Sequence, residues 1–210
     1  MLAIGTAFME KADFGVSMVV APAYLVYLKV SQLWPGFSFG MAEYCLQAAL
    51  LAAMMLVLRE FRVSYLFSIV TAVIYGLLLD LAMLLVAGMP EHILTLRFVY
   101  YAGGMLLCCM GVAFLFKTYI APEAYELFVK RVSAKWGYNI NKFKTCYDLI
   151  SCAVAILLSF LFFGFGHFEG VRWGTVFCSL VNGFIISRCT WGLDRLFRFE
   201  DGWQLRKLFE

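Results

Sequence analysis

VSYLFSIVTAVIYGLLLDLAMLLVA, residues 63–87, contains a single charged side chain, Asp80. An α-helix rises about 1.5 Å per residue, so roughly 20 apolar residues cross the ~30 Å hydrocarbon core of a bilayer. The stretch therefore predicts a transmembrane helix. Four other stretches have the same character: 39–58, 98–118, 145–164 and 172–192. A sixth crossing is expected within residues 1–34.

The composition of the whole chain favours lipid as its main solvent. Of the 210 residues, 63% are hydrophobic and 15% are charged, whereas soluble domains have about 45–50% apolar and about 25% charged residues. The formal net charge of +3 is too small to indicate a nucleic-acid partner. We therefore expect an all-α membrane protein that forms one domain over residues 1–210, with the lipid bilayer as its partner.

The seven cysteines lie in apolar stretches and lack the paired spacing of a zinc site. We interpret them as small buried hydrophobic residues, and we expect neither a metal nor a cofactor. The first fifteen residues, MLAIGTAFMEKADFG, contain no basic region and no cleavage pattern, so no signal peptide is expected. The cysteines are Cys45, Cys108, Cys109, Cys146, Cys152, Cys178 and Cys189.

The stretch 119–141 is too polar to span a membrane. Pro122 suits the first position of a helix, and Glu126 and Lys130 have the favourable order for an i,i+4 ion pair. The apolar residues fall on one face of this helix: Ala124, Tyr125, Phe128, Val132 and Trp136. The pattern predicts an amphipathic helix over 122–136 that lies on the membrane surface.

The distribution of lysine and arginine predicts the orientation, because cytoplasmic loops of membrane proteins are enriched in both. Four of these residues fall on one side: Lys11, Lys29, Arg97 and Arg172. Thirteen fall on the other: Arg59, Arg62, Lys117, Lys130, Arg131, Lys135, Lys142, Lys144, Arg188, Arg195, Arg198, Arg206 and Lys207. We expect a cytoplasmic C-terminus, with His92 and His167 outside the cell.

The two halves of the chain resemble each other. GTAFMEKA at 5–12 matches GVAFLFKT at 111–118 at four of eight positions, and VSQLW at 30–34 matches VSAKW at 132–136. Further matches occur in the same order: Ala21-Pro22 with Ala121-Pro122, Cys45 with Cys146, and Gly76 with Gly183. The sequence therefore predicts repeats at 1–87 and 98–192, followed by a cytoplasmic tail at 193–210.

Each repeat is expected to cross the membrane three times, so the second must be inverted relative to the first. Each also contains a short helix that begins at proline, at 22–33 and 122–136, and that is re-entrant or interfacial. Transporters are often built from inverted repeats with such partial helices. The counterpart of 98–118 has only residues 1–12, so either a longer start precedes Met1 or residues 14–34 supply that crossing.

Several segments resemble the YczE/YitT-like bacterial integral membrane proteins. They are KADFGVSMVVAPAYLVYLKVSQLW at 11–34, FGMAEYCLQ at 39–47, KTCYDL at 144–149 and WGTVFCSLVNG at 173–183. Ala12, Gly15 and Ser17 match the Ala-x-x-Gly-x-Ser element of that family, while Met18 stands where the family usually has proline. The resemblance implies a multi-pass protein of the bacterial inner membrane and leaves the substrate open.

Ionisable and amide groups inside membrane helices are candidates for function because burying them is costly. Glu43 and Gln47 lie one turn apart, and the repeat places Lys144 and Asp148 at the equivalent positions. Asp80 lies towards the outer end of the predicted helix at 63–87. We predict that these residues belong to a substrate or proton pathway. The alternative is that Glu43 and Lys144 reach water at the interface and that Asp148 pairs with Lys144.

Each repeat also carries a polar stripe along its last helix. The stripe is Ser68, Thr71 and Tyr75 in the first repeat and Thr175, Ser179 and Asn182 in the second. Such side chains either line a pathway or form hydrogen bonds between helices. Gly76 and Gly183 follow the stripes, as expected of helices that meet at an axis between the repeats. We predict that both stripes face the substrate pathway.

A small transporter or permease-like protein is the function that these features favour. The alternative is a scaffold or assembly partner that does not transport, for which the basic helix 122–136 and the basic tail would serve equally well. GFSFG at 36–40 has the spacing of a nucleophile elbow, but it joins membrane elements and is interpreted as a turn, so no enzyme is expected. Tyr101, Gly103 and Gly104 favour close helix contact, within one chain or in a homodimer.

Overall fold

The computed structural model describes residues 1–59, 64–90, 92–117, 123–138, 140–164 and 171–197. Within these ranges the chain is helical and has no strand. The eight helices described are α1 (Leu2–Ala12), α2 (Ala21–Val30), α3 (Phe39–Leu58), α4 (Ser64–Ala87), α5 (Leu94–Lys117), α6 (Ala124–Trp136), α7 (Ile140–Phe163) and α8 (Trp173–Leu196). His167, Arg62, Pro122 and most of the tail at 193–210, for which the sequence made predictions, lie outside the described residues.

Five helices of the described chain are long and apolar enough to cross a membrane: α3, α4, α5, α7 and α8. They coincide with the five apolar stretches of the sequence, so that prediction is confirmed. Large apolar side chains on these helices point away from the protein; Leu84, Leu161 and Leu180 are 75%, 78% and 63% exposed. Exposed apolar faces on long helices are typical of a multi-pass membrane protein, in which lipid covers them.

The first two helices are short and separate. α1 has 11 residues and α2 has 10, which correspond to lengths of about 17 Å and about 15 Å. α1 ends at Ala12, and its C-cap residue Asp13 has a left-handed φ of 55°. Its packing against α5 depends on glycine, because a Cβ on Gly104 would lie 2.6 Å from the carbonyl oxygen of Gly5. Gly103 has open space in the position of a Cβ.

The half-helices α2 and α6 share a burial pattern, with an N-terminal tip that is buried and a C-terminal end that is less buried. α2 packs against α3 and α7, and α6 packs against α3, α4 and α7. Lys29 of α2 donates to the carbonyl oxygen of Phe162 at 3.2 Å, and Lys135 of α6 donates to that of Leu58 at 2.5 Å. Each lysine thus satisfies a carbonyl at the C-terminal end of a long helix, where cations are favoured.

The prediction that 122–136 lies on the membrane surface is wrong. α6 runs alongside α3 instead: the backbone N–H of Ala124 donates to Gln47 Oε1 at 3.3 Å, and Lys135 reaches Leu58. The predicted pair of Glu126 with Lys130 is also absent, because Glu126 is 4% exposed and Lys130 faces outward. Glu126 pairs with a buried lysine of α7, a tertiary partner that the local pattern did not include.

Candidate functional site

The tips of the two half-helices face a common cavity of about 40 Å³. Such a volume accommodates about three water molecules at roughly 10–15 Å³ each. Ser17, Val19 and Val20 line it just before α2, and Glu123, Tyr125 and Glu126 line it at the start of α6. The N-terminus of a helix carries a partial positive charge. The cavity therefore faces the positive ends of two helices. The remaining lining residues are Leu2, Thr6, Tyr75, Cys108, Val112, Lys144 and Asn182.

A buried ion triad joins α6 to α7 beside this cavity. Lys144 Nζ lies 3.0 Å from Glu126 Oε1 and 3.1 Å from Asp148 Oδ1. The side chains of the three residues are 8%, 5% and 1% exposed, respectively. Charges at this depth are tolerated when they are paired, and removing one partner leaves the others without compensation. The alternative of a local pair between Lys144 and Asp148 is therefore observed, with Glu126 as a third member and with the lysine side chain largely buried.

Glu43 and Gln47 of α3 face the tip of α6. Tyr125 donates its hydroxyl hydrogen to Glu43 Oε2 at 2.5 Å. Both Glu43 and Gln47 are 0% exposed. Glu43 Oε1 and Gln47 Nε2 have no hydrogen-bond partner in the described part of the chain. An unsatisfied buried polar atom costs about 1–3 kcal/mol, so both atoms require a physical explanation.

A fourth carboxyl group belongs to Glu123, the residue that precedes α6. It is 7% exposed and makes no capping hydrogen bond to its own helix. Burial raises the pKa of Glu123 well above its ordinary value; the nearby Glu126 and Glu43 also raise it, while Lys144 lowers it. We call Glu43, Glu123, Glu126, Lys144 and Asp148 the polar cluster. It contains four carboxyl groups and one ammonium group, so the charges of these buried groups do not cancel when all are ionised.

Three of the predicted pathway residues line the cavity: Tyr75, Lys144 and Asn182. The hydroxyl groups of Tyr75 and Thr6 lie 3.1 Å apart, and the thiol of Cys109 lies 2.9 Å from Asn182 Oδ1. The structure brings Glu43, Gln47 and Asp148 into contact with residues around the cavity but not onto its wall. Whether all of the predicted residues belong to one pathway stays a prediction.

The other members of the polar stripes bond to the backbone or lie away from the cavity. Thr175 donates to the carbonyl oxygen of Val16 at 2.8 Å and so ties α8 to the segment before α2. Thr71 and Ser179 donate to carbonyls of their own helices, those of Phe67 and Val176. Ser68 is fully buried. None of these four lines the cavity.

Asp80 lies apart from the cavity, at the start of α3. Its carboxylate accepts hydrogen bonds from the Ser38 hydroxyl at 2.7 Å and from the Gly40 backbone N–H at 2.8 Å. Ser38 is the N-cap of α3 and accepts from the backbone N–H of Met41. An anion at this position satisfies free donors of the helix terminus. In this structure the GFSFG segment forms the turn that leads into α3.

Sequence reasoning did not select Glu123, Tyr125, Glu126, Thr6 or Ser17 for the site. One signal was present: Glu126 is surrounded by apolar neighbours in the run AYELFV, which is typical of a buried helix tip rather than of a solvated one. Because 122–136 was assigned to the membrane surface, this signal at Glu126 was not used. Thr6 and Ser17 carry no comparable local signal, because only packing brings them to the cavity.

Two larger pockets lie at opposite ends of α5. One, of about 480 Å³, is lined by Lys117, Lys130, Lys144 and Asp194, among others. Lys144 therefore lines both this pocket and the small cavity. The other, of about 550 Å³, contains Glu10, Lys11, Asp13, Tyr24 and Arg97. Its charges are mutually engaged: Arg97 pairs with Asp13, and Tyr24 donates to Glu10.

A family model matches residues 1–190, which is most of the chain. Its description is "Family of unknown function (DUF6198)". The chain belongs to this family. Searches of curated proteins and of solved structures gave no match. The DUF6198 assignment thus extends over the polar cluster, the cavity and both half-helices, and it attaches no activity to them.

Proposed function

We propose that this DUF6198 member is a transporter or permease that moves a small solute between its two halves. The observation that carries the proposal is the cavity between the tips of α2 and α6, beside the buried triad of Lys144. Partial helices that end at a polar site in mid-membrane are a recurrent feature of transporters. Charged groups buried inside a membrane protein are costly and generally serve a pathway.

The same proposal includes six crossings arranged as two inverted repeats. Exchanging α1 with α5, α2 with α6, α3 with α7 and α4 with α8 preserves most of the observed packing: α1 meets α4 as α5 meets α8, and α2 meets α7 as α6 meets α3. The contact between α4 and α6 departs from this pattern, because no comparable contact joins α8 and α2 in the described part of the chain. The lysines of the two half-helices, Lys29 and Lys135, bind carbonyls at corresponding helix ends.

Within this proposal α1, the counterpart of α5, belongs to the sixth crossing, α2 is the re-entrant counterpart of α6, and the YczE/YitT-like resemblance describes the wider relationship. We propose a bacterial inner-membrane location with the basic side of the chain in the cytoplasm. The pocket that contains Lys117 and Lys130 then opens to the cytoplasm, and the pocket that contains Lys11 and Arg97 opens outside.

The position of α6 supports transport over the scaffold alternative. The basic amphipathic helix was, together with the basic tail, one of the two features that favoured docking of a partner protein. In the structure its tip is inserted into the bundle, where Tyr125, Leu127 and Val129 are buried. A helix packed in this way has little apolar surface left with which to bind another protein.

The test is a screen of small solutes for compounds that raise the unfolding temperature of the purified protein, followed by uptake of each hit into proteoliposomes. We expect at least one hit to be transported by the wild type. The stabilisation and the transport should be lost in Tyr75→Phe, which alters the cavity, and kept in Tyr65→Phe, a matched change on the same helix. Hits that stabilise both variants equally, or that never cross the membrane, would overturn the proposal.

A further inference from the structure

We propose that the polar cluster is a proton-binding site, in which Glu43 and Glu123 take up protons from water that reaches the cavity past Lys144. The step is a simple transfer: a hydronium ion gives its proton to a carboxylate oxygen and leaves a water molecule. Combined with the proposed transport function, this makes the proton the coupling ion. The binding itself does not depend on that function and is tested separately.

The first argument is the balance of charge. The two carboxylates that contact Lys144 are those of Glu126 and Asp148, at 3.0 and 3.1 Å. No ion pair to Glu43 or Glu123 occurs in the described part of the chain, although they are 0% and 7% exposed. An isolated ionised carboxylate is very costly to bury, and such groups take up a proton instead. The cluster therefore needs protons to be stable in the arrangement observed.

The second argument is the hydrogen bonding of Glu43. Tyr125 donates to its Oε2 atom, while Oε1 has no partner among the described residues. A carboxylate can hold a proton on the oxygen that accepts no other hydrogen bond. Tyr125 also lines the cavity, so it connects Glu43 with the space available to water.

The third argument is access. Glu123 lines the small cavity directly, and Lys144 lines both that cavity and the pocket of about 480 Å³. The pocket and the cavity thus share one lysine side chain as part of their lining. Movement of Lys144 away from Glu126 would open a continuous path between them.

The residues around the two carboxyl groups favour a proton over a metal cation. Within the described ranges no set of three or more histidine, cysteine or acidic side chains has the arrangement of a metal site. The groups that face Glu43 and Glu123 come from every neighbouring helix, and one positive side chain is among them. They are Gln47 of α3, Tyr75 of α4, Cys108 of α5 with the chain's amino group near it, Tyr125 and Glu126 of α6, and Lys144 of α7, which itself contacts Asp148.

Infrared difference spectra of the purified protein, recorded without any solute, test this proposal. At about pH 5 the wild type should show the C=O stretch of a protonated carboxylic acid, and it should lose this band as the pH is raised to about pH 9. This range brackets strongly perturbed carboxyl groups. This band should shift in D₂O. Glu43→Gln and Glu123→Gln should each remove part of it, whereas Glu10→Gln, the same change in the other large pocket, should leave it intact.

Tyr125→Phe keeps both carboxyl groups, so it still tests the proposal if the glutamine variants fail to fold. It should shift the frequency of the Glu43 part of the band, because the hydrogen bond to Oε2 is removed. A wild-type spectrum without a titrating carboxylic acid band, or a band unchanged in Glu43→Gln, Glu123→Gln and Tyr125→Phe, would overturn the proposal. Since no solute is used, neither result depends on whether the protein transports anything.

Discussion

At the scale of single residues, Lys144 is the centre of the buried ion triad. Its ammonium group contacts carboxylates from two helices, and its side chain is 8% exposed. By contrast Lys117 forms a pair with Asp194 at 2.5 Å in which the aspartate is 50% exposed. The two lysines carry the same charge, but water screens one pair and not the other. Their energetic contributions should therefore differ.

Lys144→Met should strongly destabilise the protein, because it leaves Glu126 and Asp148 buried without a cation. We expect a loss of about 3–5 kcal/mol, measured as unfolding in detergent. Asp148→Asn should cost less, because Lys144 keeps Glu126 as a partner. The control is Lys117→Met, with an expected effect of about 0–1 kcal/mol for an exposed pair. Equal effects of Lys144→Met and Lys117→Met would show that the buried triad is not important for stability.

Glu123 should make stability dependent on pH. Its pKa in the folded protein is raised by burial, so the folded state binds this proton more tightly than the unfolded state does. The resulting stability is fully present below the unfolded glutamate pKa of about 4.3 and is lost as the pH rises through the folded pKa. Unfolding temperatures measured from acidic to alkaline pH should fall in the wild type and fall less in Glu123→Gln. A steeper fall in the variant would contradict this assignment.

At the scale of helices, two kinds of contact position the site. Close packing of α1 on α5 at Gly5 and Gly104 brings Thr6 to the cavity beside Tyr75. Hydrogen bonds from Lys29 and Lys135 hold the half-helices at the ends of α7 and α3. Neither contact is visible in the periodicity of a single helix, since each joins residues that are distant in sequence.

Gly104→Ala should separate α1 from α5, because its Cβ would lie 2.6 Å from a backbone oxygen that cannot turn away. Overpacking of this kind costs about 1–3 kcal/mol. Gly103→Ala is the matched control: its Cβ enters open space, and alanine is favoured over glycine in a helix by about 1 kcal/mol. Thermal unfolding of the two variants should therefore move in opposite directions. If Gly104→Ala were as stable as Gly103→Ala, the close contact of α1 with α5 would be disproved.

At the scale of the whole molecule, the proposed inverted arrangement predicts that the C-terminal ends of α2 and α6 lie on opposite sides of the membrane. Leu33, just after α2, is 84% exposed, and Trp136, the last residue of α6, is 53% exposed. In a background with the exposed Cys45 and Cys146 replaced by alanine, an impermeant thiol reagent added to intact cells should label Leu33→Cys and spare Trp136→Cys. Inverted vesicles should give the opposite result.

Reporter fusions provide an independent check of the same topology. A fusion after Glu210 should be active in the cytoplasm, and one inserted within 165–170 should be active outside, because lysine and arginine concentrate on the C-terminal side. An active external reporter at Glu210 would refute the orientation. Labelling of both cysteine variants from one side would refute the inverted repeat even with five or six crossings.

The sequence by itself determined the class of the protein and its long helices. Residues 63–87 and the four similar stretches predicted five helices that the structure contains, because an apolar run of that length has few alternatives to a membrane helix. It also selected Glu43, Gln47, Lys144 and Asp148, since the cost of burying a polar or charged group makes such residues conspicuous in an apolar segment.

Only the tertiary structure decided which of these groups meet. Glu126 was assigned to Lys130 because both lie on one helix, but it bonds to Lys144 across 18 residues of sequence; likewise Glu43 meets Tyr125 across 82. Asp80, as conspicuous in sequence as Asp148, holds the start of α3 instead of joining the cluster. Helical periodicity specifies which residues share a face, whereas the partner of that face depends on how the helices pack, and this packing inserts the tip of α6 beside α3 and α7.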